Sequence, residues 1–344
     1  MRAAVTQGPE TMRIVDLPDP DEPGDGEIIV RPEAVGICGS DIHYFLGDIG
    51  AVDESQLYPR IQGHEVAGVV EEIGGGVGEE LHRGDRVALW PVSTCGECYP
   101  CRLGRPNVCA NISLIGIHRD GALQERFRVP SSQAFPVGDQ DPAVAALIEP
   151  VSIAIRAVVR GRVTEGERVV VFGAGPIGQA VSAAALDRGA SVLLIDPIPS
   201  RLGHGAAVGA EILAAGDPDE TDAAARDWAG GDGPEVVFEA TGDSDVARRA
   251  IALVAQAGRV VVVGLSRNHA PLRAGDLAFK EIDMLGVSCC NPDEFAQAVD
   301  LVGRRRDTMA GLVTHQFPLD ETPDAIVYAM RNPAEVMKAV IRIG

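Results

Sequence analysis

The spacing of hydrophobic residues changes partway along this chain. Before about residue 143, short segments alternate apolar and polar residues or are rich in β-branched residues, and glycine and proline separate them. Examples are MRIVDLP, EVAGVVEEIG and DRVALWPV. Alternation with a period of two is typical of strands buried on one face. The first part of the sequence therefore predicts a compact β-rich domain.

From Ala143 onward the apolar residues recur at helical spacing, in the segment AVAALIEPVSIAIRAVV, which we expect Pro150 to interrupt. From Arg168 onward, nearly continuous apolar strands such as RVVVF, SVLLID and GRVVVVG alternate with helical segments. Strands of this kind are typical of a parallel sheet covered by helices on both faces. The last fifty residues show two further helical patterns and a final strand, KAVIRI.

Composition and charge narrow the range of partners. The chain has 344 residues, enough for two domains, and 46% of them are hydrophobic. The formal net charge of −20 is spread along the chain, which argues against nucleic acid or an anionic membrane surface as a partner. No apolar run approaches the roughly 20 residues needed to cross a bilayer. No charged-then-apolar leader follows Met1, so we expect a cytoplasmic protein.

A compact run of four cysteines has the spacing C-x2-C-x2-C-x7-C: Cys95, Cys98, Cys101 and Cys109. Four thiolates from one short loop can close a tetrahedron around zinc and leave no open position, which describes a structural site. Two disulfides or four free thiols are the alternatives. The spacing and the absence of a secretory leader favour zinc.

A second, mixed set of metal ligands is more dispersed. Cys38 stands alone and is followed by the adjacent pair His64 and Glu65. One thiolate, one imidazole and carboxylates leave room for water or substrate at a zinc ion, which describes a catalytic site. The chain is therefore expected to hold two zinc ions, one structural and one catalytic.

The segment GAGPIG, residues 173–178, matches G-x-G-x-x-G between a predicted strand and a predicted helix. Gly173 allows the tight turn, and Gly175 lets backbone N–H groups approach a pyrophosphate. Gly178 lets the helix pack close to the sheet. Pro176 suits the first helical turn, where its missing N–H has no helical partner, and Ile177 completes the motif.

Asp196 ends the next predicted strand, 18 residues after Gly178. A carboxylate there accepts hydrogen bonds from ribose hydroxyls and repels a 2′-phosphate, so NAD is expected rather than NADP. A helix cap or turn residue is the alternative interpretation of Asp196. Arg201 is near enough in sequence to contact a phosphate, and we interpret it as stacking on the adenine side.

The motifs together carry a family resemblance that covers essentially the whole chain. GHEVAGVVEEIGGGV, residues 63–77, fits the zinc alcohol dehydrogenase signature, and ICGSDIHYF, the cysteine quartet, ALIEP and GAGPIG occur in the family order. The sequence resembles the medium-chain dehydrogenase/reductase superfamily, most closely its sorbitol, L-idonate and L-galactonate 5-dehydrogenase branch. That resemblance implies an α/β protein. A GroES-like catalytic domain would span residues 1–150 and 289–344, and a Rossmann domain with a doubly wound parallel sheet would span residues 151–288.

The resemblance also implies roles at the catalytic zinc. Cys38 and His64 would hold the ion together with a carboxylate, which is either Glu65 or Glu149. Ser40 would take the proton of the substrate hydroxyl, whose pKa the zinc lowers, and His43 would pass it toward solvent. Asp41 occupies a position that commonly supports the histidine ligand. The alternatives are a surface imidazole for His43, a helix-end residue for Glu149, and for Glu65 a residue that orients His64 without binding the metal.

Further cofactor contacts are implied at six positions: Thr241, Val263, Gly264, Leu265, Ser288 and Lys338. The expected reaction is hydride transfer from a secondary alcohol of a polyol or sugar acid to NAD, in a homo-oligomer, either a dimer or a tetramer. The sequence also departs from the family pattern. The segment from Val287 to Cys290 lacks an arginine common in the sorbitol branch, which puts sorbitol itself in doubt. A threonine or butanediol dehydrogenase and a catalytically silent NAD-binding protein are the rival functions.

Overall fold

The computed structural model describes residues 1–49, 57–266 and 268–344. The strands are β1 Arg2–Gly8, β2 Thr11–Asp16, β3 Glu27–Gly36, β4 Arg60–Ile61, β5 Glu65–Ile73, β6 Arg86–Leu89, β7 Val92–Ser93, β8 Ser113–Leu114, β9 Phe127–Pro130, β10 Ala134–Pro136, β11 Arg168–Phe172, β12 Ser191–Asp196, β13 Glu211–Ala214, β14 Val236–Glu239, β15 Arg259–Val262, β16 Asp283–Gly286, β17 Val313–Pro318 and β18 Lys338–Arg342. The α-helices are α1 Gly39–Phe45, α2 Tyr99–Arg102, α3 Pro142–Ala145, α4 Ile148–Arg160, α5 Pro176–Asp187, α6 Pro199–Val208, α7 Pro218–Trp228, α8 Ser244–Leu253, α9 Ala274–Lys280, α10 Pro292–Arg304, α11 Arg306–Ala310 and α12 Thr322–Arg331.

The chain forms two compact units. The first contains residues 1–149 and 291–344, and the second contains residues 150–290. The domain boundaries predicted from the sequence, after residues 150 and 288, lie close to this division.

The first unit is built on antiparallel strands. Its largest sheet has the order β10-β6-β5-β3-β18-β17. The long strand β3 pairs with β18 near its C-terminal end and with β9 near its N-terminal end. A smaller sheet has the order β2-β1-β4, and β7 pairs with β8. Buried apolar residues of these strands, including Ile28, Val30, Val66 and Val87, form the core. This unit matches the β-rich domain predicted from the alternating pattern.

The second unit is a parallel sheet with the strand order β13-β12-β11-β14-β15-β16. The central residues Val169, Val170 and Val171 of β11 are fully buried, because helices cover both faces of a sheet of this kind. The order runs outward from β11 in both directions, which is the doubly wound arrangement. The predicted fold class, a GroES-like domain with a Rossmann domain, is confirmed.

The helical segment is not interrupted at Pro150, so that prediction was wrong. The helical stretch breaks between α3 and α4, at residues 146–147, and Pro150 lies in the first turn of α4. A proline is tolerated there because an N–H in the first helical turn has no partner within the helix. Residues 142–160 are long and apolar enough to cross a membrane by length and composition alone, but most of the stretch is buried inside the protein, as in a core helix.

The sequence pattern also misses one strand near the C-terminus. β17, with the sequence VTHQFP, pairs in parallel with β18, on the side of β18 that faces away from β3. Its polar residues and terminal proline resemble a loop, and such residues are tolerated because the strand lies at the edge of the sheet. Helix α12 provides the crossover between these two parallel strands.

Candidate functional site

Cys38 lies where β3 ends and α1 begins. It is the N-cap residue of α1, and its backbone N–H donates to Asp41 Oδ2 at 2.9 Å. This local bond fixes the first turn of a seven-residue helix. As a result Cys38, Ser40, Asp41 and His43 are presented by one short, defined segment.

His64 enters the same region from the start of β5. The preceding residue, Gly63, has a φ of +92°, and a Cβ there would lie 2.7 Å from Val35 Cγ1 and 2.9 Å from Leu123 Cγ. Only glycine suits this position, because the left-handed conformation and the close packing both exclude a side chain. The turn delivers His64 into the interior, where Ser40 Oγ lies 3.4 Å from its Nε2.

Charged neighbours determine the ionisation of the buried imidazole. Burial disfavours the charged ring, but the nearby Asp41, Cys38 and Glu149 together raise the pKa of His64 well above its usual value. Nδ1 of the ring faces Asp41 Oδ1 at 3.9 Å. Asp41 is itself buried, and burial raises the pKa of its carboxyl although His64 opposes the shift. The structure thus gathers thiol, imidazole and carboxyl groups in one desolvated region.

Glu65 is committed to a different partner. Both of its carboxylate oxygens lie 2.7 Å from Lys338 Nζ, and the two side chains are 1% and 4% exposed. Lys338 also donates to the Ile37 carbonyl at 3.1 Å. Gly36, opposite Glu65 in the β3–β5 pairing, leaves room for this carboxylate, since a Cβ there would come within 2.0 Å of Oε2. Of the two carboxylates predicted at the zinc, Glu65 is therefore neutralised by a buried cation.

Glu149 is the other candidate carboxylate. It lies in the first turn of α4 and is buried. Burial raises its pKa to about 7, and Glu65 adds to this shift while His64 and Lys338 oppose it. A nearby cation would stabilise the ionised form of this buried carboxyl group, because the charge is poorly solvated there.

The donor set at Cys38, His64 and Glu149 fits a borderline-soft divalent ion such as zinc, which binds sulfur, nitrogen and oxygen ligands. Nδ1 of His64 is buried and makes no hydrogen bond within the described residues. Within those residues, only the cysteine quartet brings three or more potential ligand atoms within 4.8 Å of one another. The mixed set is therefore chemically suited to the ion but less tightly gathered than the quartet.

His43 lies on the same helix but in a wetter setting. Its Nδ1 is 3.1 Å from Asp48 Oδ1, and both side chains are more than a third exposed. Its position fits a group that exchanges protons with solvent, as the sequence predicts.

The four quartet cysteines meet as the sequence predicts. Sγ of Cys98 lies 3.4 Å from Sγ of Cys101 and 3.7 Å from Sγ of Cys109, which lies 3.5 Å from Sγ of Cys95. Zinc–sulfur bonds of about 2.3 Å in a tetrahedron place sulfur atoms roughly 3.8 Å apart. All four are free thiols rather than disulfides. The quartet therefore fits a closed zinc site.

Backbone N–H groups in the loop around the quartet stabilise thiolate sulfur atoms. Backbone N–H groups of Cys95 and Asn111 point to Cys109 Sγ, each at 3.3 Å. Backbone hydrogen bonds from Glu97 and Cys98 lower the pKa of Cys95 to about 6. Desolvation and the neighbouring thiols raise the pKa of Cys101 to about 12. Four thiols this close cannot all ionise without a cation, so the loop is suited to a metal rather than to four independent thiols.

The glycine-rich loop has the geometry its motif predicts. Gly173 has a φ of +98°, and a Cβ there would lie 2.9 Å from Thr241 Cγ2. A Cβ on Gly178 would lie 1.7 Å from the Gly173 carbonyl oxygen, so the helix can approach only without a side chain there. Gly175 is the N-cap residue of α5, and Pro176 and Ile177 begin its first turn. N–H groups in the first turn of a helix have no partner within the helix, so this helix start suits a pyrophosphate.

Asp196 ends β12 and is buried beside this loop. Its Oδ2 accepts from Ala174 N at 2.7 Å, and its Oδ1 accepts from Ile198 N at 2.8 Å. Nη1 of Arg201 lies 4.0 Å from the point that a Cβ on Gly175 would occupy. Both the carboxylate and the guanidinium are therefore placed next to the glycine-rich loop.

Most of the other predicted cofactor residues share one edge of the sheet. Thr241 follows β14, residues 263–265 follow β15, and Ser288 follows β16. Ligands of open parallel sheets bind outside the carboxyl ends of the strands. Lys338 differs, because it belongs to the first unit and its Nζ contacts Glu65 and Ile37.

The sequence predicts Lys338 at the cofactor but does not predict its ion pair with Glu65, and it does not identify Glu239 at all. The pairing of Lys338 with Glu65 had one signal, since Lys338 is one of only two lysines and stands in an apolar final strand. Glu239, at the end of β14, is buried beside Thr241 and was not singled out. Nothing in its local pattern separates it from an ordinary strand-end carboxylate.

Comparison with known families agrees with this geometry. Residues 24–139 match the model of the alcohol dehydrogenase GroES-like domain, and residues 176–304 match the zinc-binding dehydrogenase model. L-galactonate-5-dehydrogenase of Escherichia coli K12 is 34% identical over 319 residues, which cover 93% of this chain and 92% of that protein. Sorbitol dehydrogenase of Homo sapiens is 33% identical, with 93% and 90% covered.

Solved structures are similar over almost the full length. The RspB alcohol dehydrogenase of E. coli CFT073, complexed with NADH, has a TM-score of 0.88 at 29% identity and covers 99% of each chain. A zinc-binding dehydrogenase of Sinorhizobium meliloti 1021 bound to NADP has a TM-score of 0.88 at 30% identity, with 99% and 98% covered. The chain belongs to the zinc-type medium-chain alcohol dehydrogenase family, in its polyol and sugar-acid branch. It is an oxidoreductase of that family.

Proposed function

We propose that this protein transfers a hydride between a secondary alcohol of a polyol or sugar acid and NAD, with the help of a catalytic zinc ion. The observation that carries the proposal is the buried His64. It contacts Ser40, and the nearby Asp41, Cys38 and Glu149 raise its pKa, while the competing carboxylate of Glu65 is neutralised by Lys338. A set of this composition suits an open metal site rather than a purely structural one.

Cys38, His64 and Glu149 would hold the zinc ion, which when bound lowers the pKa of a substrate hydroxyl. Ser40, whose Oγ lies 3.4 Å from His64 Nε2, accepts the proton of that hydroxyl. His43 then exchanges the proton with solvent, supported by its contact with Asp48. Asp41 Oδ1 lies 3.9 Å from the other ring nitrogen, Nδ1, so its negative charge acts on the imidazole electrostatically.

Glu65 is assigned to position the site rather than to bind the metal directly. A carboxylate that shares both oxygens with a buried ammonium group would have to give up that pair before ligating a cation. Because the carboxylate of Glu65 is held in this pair, we assign direct ligation to Glu149. Burial raises the pKa of Glu149, and a bound cation would oppose that shift and favour the ionised carboxylate.

The cysteine quartet would hold a second, structural zinc ion, giving two per chain. Sulfur–sulfur separations of 3.4–3.7 Å and the surrounding N–H groups support that assignment. We also propose a cytoplasmic location, because the seven cysteines are all free thiols and a reducing compartment preserves them in that form.

NAD is proposed as the cofactor in preference to NADP. The buried carboxylate of Asp196 lies beside the glycine-rich loop, where it would repel a 2′-phosphate. Arg201 lies near the same loop and is the feature that favours the alternative, as does the NADP-bound relative. Measured kcat/KM with both cofactors tests the choice. Equal values would contradict the role of Asp196 in cofactor choice and would favour a phosphate contact at Arg201.

A small polyhydroxylated substrate suits a metal site with one thiolate and a carboxylate. This donor set is harder and more anionic than one built mainly of thiolates, and it favours oxygen-rich ligands that can chelate. The relative named L-galactonate-5-dehydrogenase supports a sugar acid. The segment from Val287 to Cys290 carries no arginine, which disfavours sorbitol itself.

We propose a homo-oligomer, with a second copy covering the apolar surface near β16. This strand is an edge of its sheet, and Leu265, Phe279 and Met284 nearby are among the exposed large apolar side chains. Residues 265–286 carry three basic and three acidic residues, so this segment is neutral in a chain of net charge −20. Two copies can therefore approach here with less repulsion than elsewhere. Light scattering should report a dimer or a tetramer.

One experiment separates the proposed enzyme from its rivals. Purified protein is assayed for zinc content and for NADH production on a panel of polyols, sugar acids, threonine and butanediol. Two zinc ions per chain with turnover on a sugar acid or polyol support the proposal. Turnover confined to threonine or butanediol would replace the substrate class. Intact zinc and NADH binding without any turnover would favour a silent NAD-binding protein.

A further inference from the structure

Glu239 is a buried carboxylate at the sheet edge formed by the carboxyl ends of the parallel strands, and it is not among the predicted cofactor residues. Glu239 is the last residue of β14 and is 1% exposed. Its Oε1 accepts hydrogen bonds from the backbone N–H of Thr241 at 2.6 Å and of Gly242 at 2.9 Å, and also from the Thr241 hydroxyl. One carboxylate oxygen therefore organises the whole turn that follows β14.

The backbone of Glu239 ties the next loop to the same point. Its carbonyl oxygen accepts from Val263 N and from Gly264 N, both at 2.9 Å. A Cβ on Gly264 would lie 2.2 Å from Gly242 N and 2.8 Å from Glu239 Oε2. The loops after β14 and β15 thus pack against each other with Glu239 between them.

The same turn reaches the glycine-rich loop. A Cβ on Gly173 would lie 2.9 Å from Thr241 Cγ2 and 3.1 Å from the Ala240 carbonyl oxygen. Thr241, which Glu239 holds through two hydrogen bonds, is therefore packed directly on the first glycine of the nucleotide motif. Three separate loops are locked together at one buried residue.

Burying this carboxylate is costly, since an ionised carboxylate loses its solvation. Among the described residues, no arginine, lysine or histidine forms an ion pair with Glu239, and its carboxylate partners there are N–H and O–H donors. Hydrogen bonds from such donors replace part of the solvation that a buried carboxylate loses. A glutamate placed this way keeps a fixed geometry in the loops that donate to it.

We propose that Glu239 is a positioning residue that fixes the loops after β14 and β15 for the nicotinamide half of NAD. The inference rests on the proposed function. Asp196 ends β12 and would take the adenosine ribose, so the other half of the dinucleotide would extend across the strand reversal toward β14 and β15. Those two strands end in the loops that Glu239 holds.

A plain structural role makes a different prediction. If Glu239 only stabilised the fold, its loss would lower the melting temperature and weaken every ligand of the second unit alike. If it positions the loops for the nicotinamide half, its loss weakens NADH but spares ADP, which contains only the adenosine and phosphate groups. The ratio of the two affinities therefore separates the two roles.

The test uses the zinc-loaded full-length protein and titrates NADH and ADP against wild type, Glu239→Gln and Glu239→Ala. Loss of hydrogen bonds to a charged group should raise the NADH Kd at least about tenfold in Glu239→Ala, while the ADP Kd changes by less than about twofold. Glu239→Gln keeps the shape and one acceptor oxygen, so it should recover part of the loss. The KM for NAD should rise in step, and the KM for the alcohol should not.

A matched control is available in the other unit. Glu294 is also a buried carboxylate and accepts from Asn291 N at 2.8 Å in the capping box of α10. Glu294→Gln should lower stability without changing the NADH Kd. Thr241→Val provides a second variant should Glu239→Ala not fold, and it should weaken NADH by a smaller factor.

The outcomes are distinct. Equal NADH affinity in wild type and Glu239→Ala, or equal losses of NADH and ADP affinity, would overturn the positioning role. Failure of the wild-type protein to bind NADH would instead overturn the proposed function on which the inference depends.

Discussion

The two candidate metal centres of this protein are assembled in opposite ways. The cysteine quartet comes from one short loop, residues 95–109, and its sulfur atoms already lie at separations close to those of a zinc tetrahedron. The mixed set comes from three distant segments, at Cys38, His64 and Glu149, and is less tightly gathered. It depends on surrounding groups such as Asp41 and Lys338.

The difference follows from what each site must do. A closed site gains folding free energy from all its ligands and needs only a loop of the right spacing. An open site must hold a cation while leaving room for substrate, so its ligands need independent supports that fix their orientation and charge. We expect changes at the quartet to alter stability, and changes at the mixed set to alter catalysis.

The largest expected effect is at His64. His64→Ala should lower kcat/KM by at least about a thousandfold, because a metal ligand and the partner of Ser40 are lost together. NADH affinity and the quartet zinc should survive, since both depend on separate segments. Steady-state kinetics, zinc analysis and an NADH titration check this result. His82→Ala, at an exposed histidine, is the control, and near-normal turnover in His64→Ala would defeat the zinc mechanism.

Cys95→Ser should have the next largest effect, and it should lower stability rather than catalysis. The variant should lose one zinc ion per chain and unfold at least about 10 °C lower, because metal binding at a closed site contributes directly to folding. Residual activity per folded molecule should persist. Cys289→Ser, outside both candidate sites, serves as the control. Retention of two zinc ions and an unchanged Tm would mean that the quartet is not a structural site.

Breaking the buried ion pair tests how far the mixed set depends on its supports. Lys338→Met leaves Glu65 buried without its partner, which should destabilise the protein by about 3 kcal/mol. The double variant Lys338→Met with Glu65→Gln removes both charges and should recover much of that loss. Denaturant unfolding of the single and double variants measures the coupling. Additive effects would show that the pair contributes nothing specific.

Glu149→Ala should have the smallest of these effects, a loss of at least about tenfold in kcat/KM, the scale expected for groups that hold or support a metal. Kinetics of this variant beside the double variant at Lys338 and Glu65 separates the two carboxylates. If Glu149 is the ligand, its loss should be more harmful to turnover than the removal of the Glu65 charge. The reverse order would assign direct ligation to Glu65.

Some features of the protein could be predicted from residues that lie close together in sequence. The quartet spacing predicted that the four sulfur atoms meet, and G-x-G-x-x-G between a strand and a helix predicted the tight glycine turn, because each motif is a local piece of backbone. Near-continuous apolar strands gave the parallel sheet. The break between α3 and α4 was assigned to Pro150, because local rules do not show which turn of a helix contains a proline.

The sequence by itself determined which residue types are available to the open site, namely a thiol, an imidazole and two carboxylates. Only the tertiary structure pairs Glu65 with Lys338, because the two residues lie 273 positions apart in the chain and meet only through the pairing of β18, β3 and β5. The same holds for Glu239, whose importance arises where the ends of β11, β14 and β15 meet. Buried charges act over a few ångströms in a medium of low dielectric constant, so their partners are fixed by proximity in space, which the order of residues does not reveal.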